Sequence, residues 1–285
     1  MRVYRVKLQW TTILRDKDMR MTVSHITTYT YDPAVERTAI RLRLFPSVCD
    51  GQSVESWEVL VNDKIVMPLL RSGFGDDEAL FMSYDPLSEL NIIARGVVET
   101  HDMSGVVSGL PDTTPVGVFL RQTPLTRPSQ AILDIGERAQ KDDALDELHE
   151  LSRIVRQEVD YVSGSTDADT TAAQALNLGR GVCQDHAHVF CAAARSRGHP
   201  ARYVAGYLLP EAEEGALHQT HAWAEAYVQG IGWIGFDPSN NICPTERYIR
   251  FGGGLDSRDA TPIRGAISGA WEENLVASVV IEQAQ

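Results

Sequence analysis

Between Met21 and about Thr100, apolar side chains recur at every second residue and hardly ever at helical spacing. In "TAIRLRLF", Ile40, Leu42 and Leu44 oppose Arg41 and Arg43, and "TVSHITTYTY" alternates in the same way. "ESWEVLVNDKIVM" reads as a hairpin turning at Asn62-Asp63, and "ELNIIARGVVE" as a further strand. A period of two gives each strand one apolar face, which has to be covered by a second layer. Several such strands joined by polar turns predict an antiparallel, β-sandwich-like domain over residues 21–104. Residues 1–20 are patterned more loosely and are expected to form a leader or irregular segment, with Met19 or Met21 as alternative starts. Arg2, Arg5, Lys7 and Arg15 interrupt each apolar stretch there, so a signal peptide is not expected.

From Gly105 to Pro128 the composition shifts to Gly, Ser, Thr and Pro, which predicts a linker over 105–128. The period then changes. Ala131–Gln140 and Ala144–Tyr161 read as helices, the second with Leu148, Leu151, Val155 and Val159 on one stripe. A short helix, "TAAQALNL", has Asp169 or Thr170 as its expected N-cap and stops at Gly179. Another helix spans about Val182 to Ser196 and ends at Gly198. Strands follow in "ARYVAGYLL", "HAWAEAYV" and "GWIGFD", and the last 12 residues alternate again, with Leu275, Ala277, Val279 and Ile281 facing one way. Residues 129–285 are therefore expected to form a second domain of helices packed on an antiparallel sheet. The chain as a whole is predicted to be α+β.

The totals narrow the function classes. With 43% hydrophobic and 23% charged residues, the chain is patterned like a soluble globular protein. A net charge of −13 repels phosphate, so neither a nucleic acid nor an anionic membrane is an expected partner. No run approaches the length of a membrane-spanning helix. Of the four cysteines, Cys183 and Cys191 fall on one predicted helix, roughly 12 Å apart along its axis, too far to bridge. Reduced thiols and a cytoplasmic location are the expectation.

A nucleophilic thiol needs a depressed pKa, a base within reach and donors for the oxyanion it creates. Cys183 follows "GRG" in the first turn of a helix, where unpaired N–H groups and the dipole favour a thiolate. His221 opens "HAWAEAYV", sharing a face with Trp223, Glu225 and Tyr227, while Ala222, Ala224 and Ala226 make a thin opposite face on which a helix can pack. Asp237 closes "GWIGFD" just before Pro238. If the hairpin between the two strands is centred on Gly230, Asp237 lies opposite Trp223 and shares the face of His221. An even loop would turn it away. A Cys-His-Asp arrangement thus requires an odd loop or a bulge.

The blocks "GRGVCQDHAHVFCAAARSRGHPARYVAGYLL", "THAWAEAYVQGIGWIGFDPSN" and "RYIRFGGGLDSRDATPIRG" resemble the bacterial transglutaminase-like superfamily. The resemblance covers nearly all of residues 21–285 and implies a papain-like core preceded by a β domain. It also implies Cys183 as nucleophile, His221 as base and acid, and Asp237 orienting the imidazole. Acyl transfer through a thioester on peptide or isopeptide amides would follow, with hydrolysis, crosslinking or deamidation set by the acceptor; hydrolysis of a peptide or protein substrate is the expectation, and no cofactor is implied. Tyr161, in "VDYVSGST" upstream of the Cys183 helix, is the candidate second oxyanion donor. Two positions depart from the family pattern: His186 stands where an aromatic is usual, and Leu255 where an arginine is.

Other readings stand beside these. A zinc site built from Cys183, His186, Cys191 or His199 lacks a tight ligand pair, and "HQTH" at His218 and His221 faces both sides of a strand, so no metal is expected. Asp185 reads as a first-turn charge or hydrogen-bond partner, and Glu225 as a buried ion pair or a solvated edge. The acidic loop Glu211–Gly215 is placed to border the cleft. The rival from another class is a non-catalytic peptide-binding scaffold.

Overall fold

The computed structural model describes residues 18–111, 114–210, 220–269 and 272–284. Most of the expected leader, the stretch Glu211–Gly215 and His218 lie outside the described residues. Eight strands come first: β1 (Asp18–Val35), β2 (Arg37–Leu42), β3 (Gln52–Val61), β4 (Lys64–Ile65), β5 (Leu70–Arg71), β6 (Asp77–Ser83), β7 (Leu87–His101) and β8 (Val106–Val107). Next come α1 (Gln130–Arg138), α2 (Ala144–Glu158), β9 (Asp160–Tyr161), α3 (Ala172–Leu178), β10 (Arg180–Gly181) and α4 (Cys183–Ser196). The chain continues with β11 (Ala201–Leu208), β12 (His221–Val228), β13 (Gly232–Phe236), β14 (Tyr248–Gly254), α5 (Ser257–Ala260), β15 (Ile263–Ser268) and β16 (Glu272–Gln283).

The alternating segments form two antiparallel sheets, ordered β16-β1-β7-β3-β4 and β15-β2-β6-β5. Their facing sides bury Tyr31, Val35, Ile40, Leu42, Val59 and Ile92 in one core. The hairpin expected at Asn62-Asp63 is present: Val61 pairs with Lys64, and both turn residues have positive φ (45° and 62°), as a tight primed turn demands. β1 is too long for the sandwich alone. Beyond it, Met21 and Val23 pack with Val98 and Val279 against Tyr207, Ile249 and Phe251 of a third sheet, β14-β11-β12-β13-β8. One face of the first sheet thus carries two neighbours.

Several expected boundaries shift. β1 starts within the expected leader, since Asp18, Met19 and Arg20 pair with His101, Thr100 and Glu99. The expected linker contributes β8, which pairs with β13. The last two strands, expected in the second domain, return to the first sheets: β15 pairs with β2, and β16 with β1. The apolar stripe of β16 decides this, because Leu275, Ala277, Val279 and Ile281 lie opposite Tyr29, Thr27, His25 and Val23. α2 stops at Glu158, and Asp160–Tyr161 is strand. α3 is capped by Thr171, rather than by Asp169 or Thr170, in a reciprocal pair of bonds with Gln174.

The third sheet is sided by residue size. Ala224, Ala226, Val228, Ile234 and Phe236 face α4, meeting Val189, Phe190 and Ala193, and the alanines let the helix approach closely. On the other side Glu225, fully buried, accepts from Arg202 of β11 and Arg250 of β14. Arg250 continues to Ser47 at 2.8 Å and Asp76 at 3.4 Å in the first half of the chain. Glu225→Ala removes the buried carboxylate that the two guanidinium groups share. The expected loss is about 3–5 kcal/mol of stability, read from the urea midpoint at constant m-value; a loss below about 1 kcal/mol would mean that water replaces the ion pairs.

Candidate active site

Gly179, left-handed at φ 63°, ends α3, and β10 then pairs with β9 in parallel, Val162 N–H donating to the Gly181 carbonyl at 2.8 Å. This turn delivers Val182 as N-cap and Cys183 as the first residue of α4. Asp185 folds back over the turn: its Oδ2 accepts from the Val182 N–H at 2.8 Å and the Thr166 hydroxyl at 2.6 Å. A Cβ on Gly181 would come within 2.7 Å of that oxygen, so only glycine fits. Burial pushes the Asp185 carboxyl up against these two bonds. Its role is to brace the helix start.

The other members of the cysteine- and histidine-rich stretch each have separate surroundings. His186 is buried with Nδ1 2.9 Å from the Val182 carbonyl and Nε2 2.8 Å from that of Val159. Its ring stacks on Tyr161 at 6.2 Å, so it performs the packing expected of an aromatic there. His188 accepts from the Ser257 N–H at 3.0 Å, and burial lowers its pKa to about 4. His199 meets Glu147 at 3.1 Å. Cys191 is fully buried, its thiol pushed up to about 11 by burial. Of this group only Cys183 lines the open cleft. Leu255 is buried beside Phe119 and Trp233, and its carbonyl accepts from Arg195.

Hairpin parity brings the partners together. β12 and β13 are joined by a three-residue loop centred on Gly230 (φ 88°), with Val228 opposite Gly232 and Ala224 opposite Phe236. One step further, Asp237 falls opposite Trp223 and on the face of His221, as an odd loop requires. His221 Nε2 lies 2.6 Å from Asp237 Oδ2, with the two side chains 11% and 0% exposed. Asp237 also accepts from the Tyr248 hydroxyl at 2.8 Å, the Asn240 amide at 2.7 Å and the Ser239 N–H at 3.0 Å. Burial opposes its charge, but the bonds from His221, Tyr248 and Asn240 prevail and hold its carboxyl below the usual range.

Burial likewise opposes the His221 imidazolium, yet hydrogen bonds and charge from Asp237 and Cys183 raise it to about 10. With Nε2 engaged by Asp237, Nδ1 is the nitrogen left to meet the sulfur. Trp223 stacks on the ring at 6.3 Å and Tyr248 lies at 5.8 Å, shielding the pair from water. Tyr248 and Asn240 were invisible as partners in the sequence. Asn240 carries the faint signal of an Asp-Pro-Ser-Asn turn, but Tyr248 sits on a strand whose glycines conceal it.

Cys183 and His221 border a cleft of about 960 Å³, with Asp237 buried behind the imidazole. Tyr161 and Gln184 form one wall, Leu208 and Pro210 another, and Arg258 and Leu275 reach in from the C-terminal segment. Tyr161 is half-exposed, and burial together with the Cys183 and Asp237 charges raises its hydroxyl pKa. At the rim, Arg258 pairs with Asp169 at 2.8 Å in solvent.

Comparison with known proteins gives the same outline. Residues 134–238 match the family model of the transglutaminase-like superfamily, and residues 21–99 that of the bacterial transglutaminase-like N-terminal region. An uncharacterized protein of Mycobacterium leprae is 31% identical over 281 residues, covering 92% of this chain and 98% of that protein. An uncharacterized Mycobacterium tuberculosis protein is 37% identical over 129 residues, 42% of this chain and 41% of that one. Among solved structures, a candidate cysteine protease of Cytophaga hutchinsonii has the same fold, with a TM-score of 0.74 at 19% identity over 94% of this chain and 92% of that one. No helix among the described residues is long and apolar enough to cross a membrane.

The raised pKa of His221 makes a signed prediction. The folded state favours the imidazolium, so its contribution to stability is complete below the ordinary value of 6.5 and is lost as pH rises toward about 10. A histidine titration followed by NMR should place the His221 midpoint far above 6.5, and Asp237→Asn should lower it. A His221 midpoint near 6.5 would mean that Asp237 does not hold the charge.

Proposed function

The chain belongs to the transglutaminase-like superfamily, in its bacterial branch with a β-rich N-terminal region, and we propose that it hydrolyses peptide or isopeptide amides through a thioester on Cys183. The observation that carries this is the His221–Asp237 bond of 2.6 Å, with the second imidazole nitrogen left for Cys183 at the mouth of a large cleft.

In the first half-reaction the Cys183 sulfur attacks the amide carbon, and its C–N bond breaks. His221 gives its proton to the departing amine, and Asp237 keeps the ring oriented while the charge on it changes. In the second, water attacks the thioester, His221 takes a proton from it, and the C–S bond breaks to release a carboxylic acid. The oxyanion of each step accepts from the Cys183 N–H, which has no acceptor within α4 because it opens that helix, and from the Tyr161 hydroxyl. Support for Tyr161 is its place in the cleft wall and the influence of Cys183 on its ionisation. Water as acceptor is favoured by the width of the cleft, in which Cys183 is only partly covered.

The test is incubation with a mixed peptide pool, with and without a primary amine, followed by mass, with Cys183→Ala as control. Cleaved peptides are expected. An amine adduct would replace hydrolysis with crosslinking, a gain of about one dalton without cleavage would indicate deamidation, and products shared by wild type and Cys183→Ala would end the nucleophile assignment. Tyr161→Phe should lower kcat roughly 10- to 100-fold with little change in KM, the pattern of a lost transition-state donor. An unchanged kcat would remove Tyr161 from the oxyanion site.

A further inference from the structure

The cleft at Cys183 does not stop at the catalytic sheet. A second groove of about 340 Å³ shares Thr220, Thr261, Pro262 and Leu275 with it. That groove shares Tyr29 and Ile263 with a third depression of about 280 Å³ further along the β domain. The three form one continuous channel from the sulfur onto the N-terminal sheet.

Its floor is made by cross-strand pairs of β1 and β16: Tyr29 with Leu275, Thr27 with Ala277, and His25 with Val279. This is the same sheet face that the sandwich core covers at Tyr31 and the catalytic sheet covers at Met21 and Val23. Between those two covered patches His25 and Thr27 of β1 are buried, but the β16 side of the face is open. β16 is exposed from Glu272 through Ala277 and buried at Val279 and Ile281, and Leu275 is 53% exposed. The outer edge of β16 has no strand partner among the described residues. Pro262 and Ile263 supply the opposite wall.

The lining of the 340 Å³ groove itself holds no Asp, Glu, Lys or Arg. His25, buried on the floor between the Tyr207 hydroxyl at 2.7 Å and the Thr27 hydroxyl at 3.0 Å, has its pKa lowered to about 4 by burial and is neutral at pH 7. On a chain of net charge −13, an apolar groove without formal charge selects by chemistry. From Leu275 to Val279 it spans about four extended residues, roughly 14 Å.

We propose that this groove is a substrate subsite of the β domain, which binds an extended, apolar, uncharged segment of the polypeptide whose amide is presented to Cys183. The proposal rests on the peptide-hydrolase reading above and gives the β domain a part in choosing the substrate. Chain direction and length matter here: a peptide must reach about four residues past the cleft to fill the groove, and shorter ones gain nothing from it.

The test separates binding from chemistry. Immobilised Cys183→Ala protein is exposed to a tryptic digest of denatured serum albumin, and retained peptides are identified by mass. Retention of apolar-rich peptides of about eight residues or more is expected, with at least a fivefold fall when Ala277→Trp fills the groove or Leu275→Asp charges it. Both sites are exposed, and an unchanged Tm certifies each fold. Retention of nothing, or equal retention by all three proteins, overturns the groove. Alkylation of wild-type Cys183 by iodoacetamide reads the nucleophile by itself: a thiol no faster than Cys49 or Cys243, beside groove-dependent retention, would defeat the catalytic reading and leave the groove standing.

Discussion

In the middle of the molecule one carboxylate is held by two arginines that come from two neighbouring strands. Glu225 on β12 takes Arg202 from β11 and Arg250 from β14, and the carboxylate is fully buried from solvent. Such a buried set adds little net stability over well-packed apolar residues, because three charges have to be stripped of water. What it does fix is alignment. Arg202 stands directly opposite Glu225, and a slip of one residue would turn the carboxylate toward the alanine face on which α4 packs. His221 lies four residues earlier on the same face of the same strand, so the alignment that satisfies Glu225 also positions the imidazole. Through Arg250 the same charges reach Ser47 and Asp76, tying the catalytic sheet to the β-rich half.

How much of this could be read beforehand depended on the sequence distance over which each feature is decided. The alternating strands, the turn at Asn62-Asp63 and the helix opening at Cys183 are set by neighbours within a few residues, and all are found. The His221–Asp237 face followed from the parity of one short loop, which its glycine centre at Gly230 marks. The N-cap of α3 was misjudged because three candidate residues adjoin one another, and the deciding bond belongs to Gln174. Tyr248 was missed for another reason: "YIRFGGG" has too many glycines to look like a strand, although all seven residues are buried in one. The destination of β15 and β16 lay furthest out of reach. The alternation of β16 was plain, but alternation names a face and not a partner, and the partner of each strand is at the other end of the chain.

That distant pairing has a consequence for biogenesis. β1 and β16 are joined along twelve paired positions by residues about 250 apart in sequence, with the entire catalytic sheet threaded between them. Until β16 arrives, an emerging polypeptide carries β1 with one row of backbone N–H and C=O groups open, a template for any other extended chain nearby. The helices and hairpins around Cys183 rest on shorter-range contacts and can assemble during that wait. Closing the sandwich is thus a late event, and it withdraws the sticky margin of β1 from solution as it completes the channel on the β domain. Until then the molecule is a risk for aggregation, and that window, more than the mature surface, is where a chaperone would have work to do.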